Sequence, residues 1–224
     1  MTARRRDLIF DLDGTLIDSA PDIANAMNRL LGELGRPPLD IATVRRMVGD
    51  GAPDLIRKAL ATGGAEVTPD RFPELLERYR GFYLARATEL TRTYPGVPET
   101  LQALRDSGHR MAVCTNKIQK PTLAILEHFG LMKFFDGVVG GDVAPARKPD
   151  PRHLLAAIEC TGGTPDEAVL IGDGINDALA AKAAGVPLFV LDSGYGEVPA
   201  VELGGVALLE SFSEIPAALA KLGD

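Results

Sequence analysis

Two aspartates at i and i+2, Asp11 and Asp13, follow directly on the apolar run Leu8-Ile9-Phe10. While the backbone stays extended, both carboxylates leave the strand on the same side. Like charges that close repel, and the arrangement becomes cheap only if one carboxyl is protonated or a cation sits between them. Oxygen ligands of this kind suit a hard divalent ion such as Mg2+. Gly14 permits a tight turn with its backbone close to a ligand. Thr15 is expected to offer a hydroxyl and an amide at the mouth of the site. A lone Asp-x-Asp is often an ordinary strand end, but an apolar run followed by Asp-x-Asp-Gly-Thr is a far narrower pattern.

Three further segments carry polar residues where such a site needs them. Thr115-Asn116 follows the apolar run Met111 to Cys114, and its hydroxyl can donate to an anionic oxygen of a ligand. Gly172-Asp173-Gly174-Ile175-Asn176-Asp177 follows Ala168 to Ile171, bringing backbone close and bracketing a helix start with two acids. Lys148 precedes Pro149, which biases it away from helix. With Asp11, Asp13, Asp173 and Asp177 converging, one fixed cation besides a metal is expected, to hold the acids and meet an anionic ligand. His109, His128 and His153 have no ligand spacing and are assigned to surface or packing roles. Cys114 and Cys160 form no Cys-x-x-Cys and are expected to be structural thiols.

The elements that must position these residues can be read from periodicity. After Asp18 the pattern turns helical: Ser19 can cap with Asp22, and Ile23, Met27, Leu30, Leu31 and Leu34 run at helical spacing to Gly35. Asp40 caps a second helix with Ile41, Val44 and Met47 on one face, ended by Gly49-Asp50-Gly51. Pro53 opens a third, closed by Gly63-Gly64, and a fourth begins at Thr68-Pro69-Asp70, where Pro73 kinks or delays it. From Tyr94-Pro95-Gly96 onward, amphipathic helices alternate with near-continuous apolar strands. That rhythm predicts an α/β fold, a doubly wound parallel sheet with ligands beyond the carboxyl ends of its strands. The expected division is a core of residues 1–17 and 95–224 and an inserted α-helical cap bundle, 18–94, hinged near Ile17 to Pro21 and Thr91 to Val97.

The chain has 224 residues, 46% hydrophobic and 25% charged, enough for one substantial core plus a smaller unit. A formal charge of −7 argues against a nucleic-acid partner, which needs a basic face. Arg4-Arg5-Arg6 resembles the start of a signal peptide, but Asp7 and Asp11 interrupt the apolar stretch that would have to follow. No apolar run approaches the ~20 residues that span a bilayer. A cytoplasmic protein, monomeric or homodimeric, is expected.

The four segments, Asp11/Asp13, Thr115, Lys148 and Asp173 with Asp177, resemble in order and rough spacing the four signatures of the haloacid dehalogenase superfamily. The insert has the size and position of that family's first, helical cap class. The resemblance implies a Rossmann-like core, phosphoryl transfer through an aspartyl-phosphate on Asp11, and a phosphatase or mutase, because dehalogenases lack the second Asp. It further implies Asp13 as general acid and base, and Mg2+ held by Asp11, the Asp13 carbonyl and Asp173, with Asp177 orienting them. Thr115 and Lys148 would hold the transferring oxygens.

Asp18-Ser19-Ala20-Pro21-Asp22, Met47-Val48-Gly49-Asp50-Gly51-Ala52 and Thr115-Asn116-Lys117 are similar to the phosphoglycolate phosphatase branch, which commonly has Ser at the place of Gly174. The loop around Gly49, Asp50 and Gly51 leads into the helix opened at Pro53, whose N-terminus attracts a carboxylate. Lys117 and Arg57 are the candidate charge partners of a small substrate, with Gly14, Thr15 and Asn116 nearer the phosphate. Hydrolysis of a sugar phosphate or pyrophosphate, or a mutase reaction, would use the same core. A phospho-acceptor signalling domain shares the acids, Thr and Lys but has no need of a helical insert. A phosphonatase needs a cap lysine for a Schiff base, and Lys58 is the cap's single lysine.

Overall fold

A computed structural model describes residues 5–62, 68–193 and 195–222. Its centre is a six-stranded sheet of β1 (Asp7–Phe10), β4 (Arg110–Thr115), β5 (Gly137–Gly140), β6 (Ala168–Gly172), β7 (Leu188–Leu191) and β8 (Ala207–Leu209). The order is β5-β4-β1-β6-β7-β8, and every pairing is parallel. Parallel strands need crossover connections, and the helices that supply them cover both faces. Alternation along the strands divides the core: Leu8, Phe10, Met111, Val113, Val169, Ile171 and Phe189 point to one side, and Ile9, Ala112, Cys114, Leu170, Leu188 and Val190 to the other. The second side packs on α7 (Pro151–Thr161) and α8 (Ile175–Ala184) through Leu154, Ala157, Ile158, Ala178 and Ala181. The first packs on α5 (Val97–Asp106), α6 (Gln119–His128) and α9 (Ile215–Lys221).

Between β2 (Ile17–Asp18) and β3 (Arg92–Thr93) the chain runs through α1 (Ala20–Glu33), α2 (Ile41–Met47), α3 (Ala52–Ala61) and α4 (Phe72–Leu84). The two predicted hinge segments meet as an antiparallel ribbon, Ile17 opposite Thr93 and Asp18 opposite Arg92. α1 packs on α4 through Met27, Leu30 and Leu31 against Leu75, Tyr79 and Tyr83, one helical stripe against another.

Local details depart from the sequence expectations. Ser19 makes no capping bond; its hydroxyl turns to Asp13 instead. Asp22 accepts from the Leu90 and Thr91 amides and the Thr91 hydroxyl, tying the start of α1 to the returning chain. Asp40 caps α2 as expected, through the Thr43 amide, but Ile41 is exposed. Pro73 falls in the first turn of α4, so of the two expected effects it delays the start, to Phe72, and does not kink the helix. Gly63-Gly64 lie outside the described residues.

Candidate active site

All four polar segments reach the carboxyl edge of the sheet. Asp11 leaves the end of β1, where its amide donates to Ile171 O. Thr115 ends β4 and Asp173 follows β6. Lys148 stands in the loop between β5 and α7. The peptide bond to Pro149 is cis. The Lys148 main chain is held at both ends: its amide donates to His153 Nδ1 at 3.2 Å and its carbonyl accepts from Asn116 Nδ2 at 2.9 Å.

The Lys148 ammonium is buried and donates to Asp177 Oδ1 at 2.6 Å. Asp11 Oδ1 lies 3.0 Å away from it but outside hydrogen-bond alignment, so that buried oxygen accepts no hydrogen bond. Burial alone would lower the Lys148 pKa; the Asp11 and Asp177 carboxylates outweigh it and hold the ammonium above its ordinary range. Asp11 is raised to about 6, by burial first and with Lys148 pulling it back. Asp173 is driven well above the carboxylate range by burial and by its acidic neighbours Asp11 and Asp177.

Asp11, Asp173 and Asp177 each bring an oxygen within 4.8 Å of the others. A hard divalent cation fits this donor set, since it would relieve both the repulsion and the unmet Asp11 oxygen. Asp177 is already engaged, by Lys148 and by the Gly174 amide at 3.2 Å. The Asp13 carboxylate is not in the cluster. The two signature acids therefore do not share one cation in this arrangement: Lys117 Nζ donates to both Asp13 oxygens, at 2.9 and 2.7 Å, and Ser19 Oγ to Oδ1 at 2.5 Å. Gly14 allows the tight approach, at φ +89°; a Cβ there would overlap the Asp173 carboxylate.

Asp11, Asp13, Thr115, Asn116 and Lys117 line a cavity of about 80 Å³, walled on the cap side by Ile23, Gly51, Leu55, Tyr79, Arg80 and Tyr83. The remaining candidates are placed differently from the expectation. Thr15 is not at the mouth but buried, donating to Asp173 Oδ1 at 2.6 Å, so it fixes the acid from behind. Asn116 spends its amide on Gly49 O and Lys148 O, a tie between cap and core. Asp50 turns to Asn176 at 2.8 Å and Lys58 at 2.7 Å. Burial pushes it up, but these two donors hold it below the usual range. Lys58, paired there, presents no free amine to the site. Arg57 is exposed, pairs with Asp54 at 2.9 Å and lies over the Phe72 ring, away from the cavity.

Sequence reading missed several residues. His153 is buried, with Nε2 toward Val139 O at 3.1 Å, and is held neutral, its pKa lowered to about 4 by burial and by Lys148. Its place five residues after Lys148 was the only available signal. Tyr195 accepts from the Ser19 and Ala20 amides, at 3.0 and 2.8 Å, and donates to Asp18. Tyr79, Arg80 and Tyr83 read only as part of a helical pattern.

A parallel doubly wound sheet with these segments on its carboxyl edge beneath a helical cap defines a class of hydrolases. The chain belongs to the haloacid dehalogenase-like hydrolase family, which it matches over residues 8–185. It is 43% identical over 211 residues to the phosphoglycolate phosphatase of Caulobacter vibrioides, covering 94% of this chain and 89% of that protein. To that of Pseudomonas putida it is 45% identical over 192 residues, 85% of this chain and 70% of the relative. The crystal structure of a predicted phosphoglycolate phosphatase from Haemophilus somnus superposes with a TM-score of 0.89 at 31% identity, covering 95% and 97% of the two chains. Among the described residues no helix is long and apolar enough to cross a membrane.

Proposed function

We propose that this protein is a Mg2+-dependent phosphatase that cleaves 2-phosphoglycolate to glycolate and phosphate through an aspartyl-phosphate. The observation that carries this reading is that Asp11 and Asp13 open on one small cavity while each is held by a different lysine. Two carboxylates so separated can take two roles in one reaction, nucleophile and proton carrier.

An Asp11 oxygen attacks phosphorus, and the bond to the glycolate oxygen breaks as Asp13, protonated for this step, delivers its proton to that oxygen. Water then attacks the phosphorus of the aspartyl-phosphate and gives a proton back to Asp13. The Asp11–phosphorus bond breaks and phosphate leaves. Lys117 and Ser19 keep Asp13 aimed at the cavity. Lys148 and the Thr115 hydroxyl hold the transferring oxygens, and the tie from Asn116 to Gly49 keeps the cap loop against the core. Asp11, the Asp13 main-chain carbonyl and Asp173 would hold Mg2+, oriented by Asp177. When bound, the ion supplies charge neutralisation on the transferring phosphoryl group. Residues 18–94 act as the cap and exclude water from the covered site.

Size supports this choice of substrate, as do the relatives. A cavity of about 80 Å³ suits a two-carbon leaving group, well below the ~300 Å³ at which pockets for larger ligands begin. The test is a Mg2+-dependent phosphate-release panel over small phospho-acids, sugar phosphates, nucleotides and pyrophosphate. Phosphoglycolate is expected to give the highest kcat/KM, and a hexose phosphate or pyrophosphate in first place would overturn the substrate. Asp11→Asn is expected to fold and to be inactive; turnover by it would overturn the covalent route.

A further inference from the structure

We propose that Arg80, on α4, is the specificity-determining residue that receives the substrate's carboxylate. The inference rests on the phosphoglycolate reading and names the cap residue that makes the acid preferred over a neutral phosphate ester.

α4 presents Tyr79, Arg80, Tyr83 and Leu84 to the cavity, the i, i+1, i+4, i+5 stripe of one helix face. The other cap residues that line it are apolar or glycine: Ile23, Val48, Gly49, Gly51, Ala52 and Leu55. Moving a carboxylate into such surroundings is costly without a cation to meet it. Among the described residues, two cations line the cavity. Lys117 is buried with its charge committed to both oxygens of Asp13, so a second carboxylate there would have to break an enclosed pair. Arg80 is in a different condition. Its Nη1 meets Glu77 at 2.6 Å, but Glu77 is 70% exposed, and a pair to so solvated a carboxylate holds little energy. Its Nε is buried and has no hydrogen-bond partner among the described residues.

A buried N–H without an acceptor is a standing cost, and one that an arriving acceptor removes. The Nε edge of a guanidinium is also the edge that offers two parallel donors to a carboxylate. Arg80 therefore combines full charge, an unmet buried donor and a position on the wall opposite the core acids. Arg57, nominated from sequence for this task, has none of the three in the cavity.

The experiment compares 2-phosphoglycolate with 2-hydroxyethyl phosphate, the same ester with an alcohol in place of the carboxylate. Wild type, Arg80→Met and Arg80→Lys are assayed with Mg2+ present. Met keeps the length and apolar stem of Arg80, and a thermal melt establishes that it folds. The expected result is a KM for phosphoglycolate raised about 10- to 100-fold in Arg80→Met, the scale of one charge-assisted hydrogen-bonded contact. Turnover of 2-hydroxyethyl phosphate is expected to stay within about threefold, while Arg80→Lys, charged but without the Nε donor, recovers the acid preference in part. Equal losses on both substrates, or an undiminished acid preference in Arg80→Met, would overturn the assignment. Wild type lacking any preference for the acid would instead overturn the phosphoglycolate reading on which it rests. An unfolded Arg80→Met would leave the decision to Arg80→Lys, whose unchanged KM for phosphoglycolate would overturn the role of Nε.

Discussion

Lys117 reaches from the loop after β4 to both carboxylate oxygens of Asp13, at 2.9 and 2.7 Å, while Tyr83 of the cap lies with its ring centre 4.8 Å from the same ammonium. A residue that sequence nominated for the substrate is thus already committed to the proposed proton carrier. Burial would lower the pKa of Lys117, and Asp13 more than restores it, holding the ammonium above its ordinary range. The aromatic face adds to the hold on the cation.

Lys117→Met should therefore act on chemistry more than on binding. Asp13 would lose two of its three hydrogen bonds and keep the one from Ser19. The expected outcome is a kcat lowered about 10- to 100-fold, part of the ~10²–10⁴ that a general acid contributes, with KM changed much less. Steady-state kinetics on phosphoglycolate check it; a large KM rise at unchanged kcat would mean that Lys117 binds substrate after all.

Metal binding should depend on pH with a definite sign. Asp11 is raised from 3.8 to about 6, so between these values the metal-free folded state binds more protons than the unfolded chain. From this group, stability without metal rises as pH falls through that window. Mg2+ needs the unprotonated carboxylate, so its stabilisation should be full above pH 6 and shrink below it. The measurement is the shift in Tm on adding Mg2+ at pH 7.5 and at pH 5; equal shifts would contradict the proposed ligands.

His153 should contribute an acid-sensitive element to the fold. Its pKa is lowered to about 4, so the unfolded state binds more protons between about 4 and 6.5, and stability falls as pH drops through that range. At 1.36 kcal/mol per unit the loss reaches at most about 3 kcal/mol. His153→Phe removes this titration and the acceptor for the Lys148 amide. Urea unfolding should show wild type losing its advantage over the variant as pH is lowered from 7 to 4.5; parallel curves would count against it.

These outcomes depend on features that sequence conveys unevenly. The strands of the sheet were legible because Leu8 to Phe10, Met111 to Cys114 and Ala168 to Ile171 are apolar runs bounded by polar turns, and burial on both faces leaves such a run little alternative. The positions of Asp11, Thr115, Lys148 and Asp173 at the sheet's carboxyl edge were legible because each ends or follows a strand or is fixed before a proline. What could not be read was direction: which of Arg57 and Arg80 faces the cavity depends on how α3 and α4 rotate against α1. Thr15 and Ser19 were placed in the right loop and given the wrong partners. Their hydroxyls bond acids that are neighbours in space, Asp173 being 158 residues from Thr15, and no local pattern records that distance.

The loop Val48 to Ala52 lines the cavity from the cap side. Within it Gly51 has φ +88° and stands where a Cβ would lie 3.2 Å from the Asn116 carbonyl oxygen and 3.3 Å from Arg147 Nη1. Gly51→Ala would thus add backbone strain of about 1 kcal/mol or more, and would press on the main chain of Asn116. That residue is the tie between Gly49 O and Lys148 O, so the strain reaches both the cap loop and Lys148. The expected outcome is a modest fall in Tm with a kcat/KM for phosphoglycolate reduced about tenfold or more, as expected when a positioned group is displaced by a fraction of an ångström. Acetyl phosphate, whose acyl leaving group needs less help, should suffer less. Equal losses on the two compounds would place the damage in the core, at Lys148, and retained activity on both would show that the Gly51–Asn116 approach has slack.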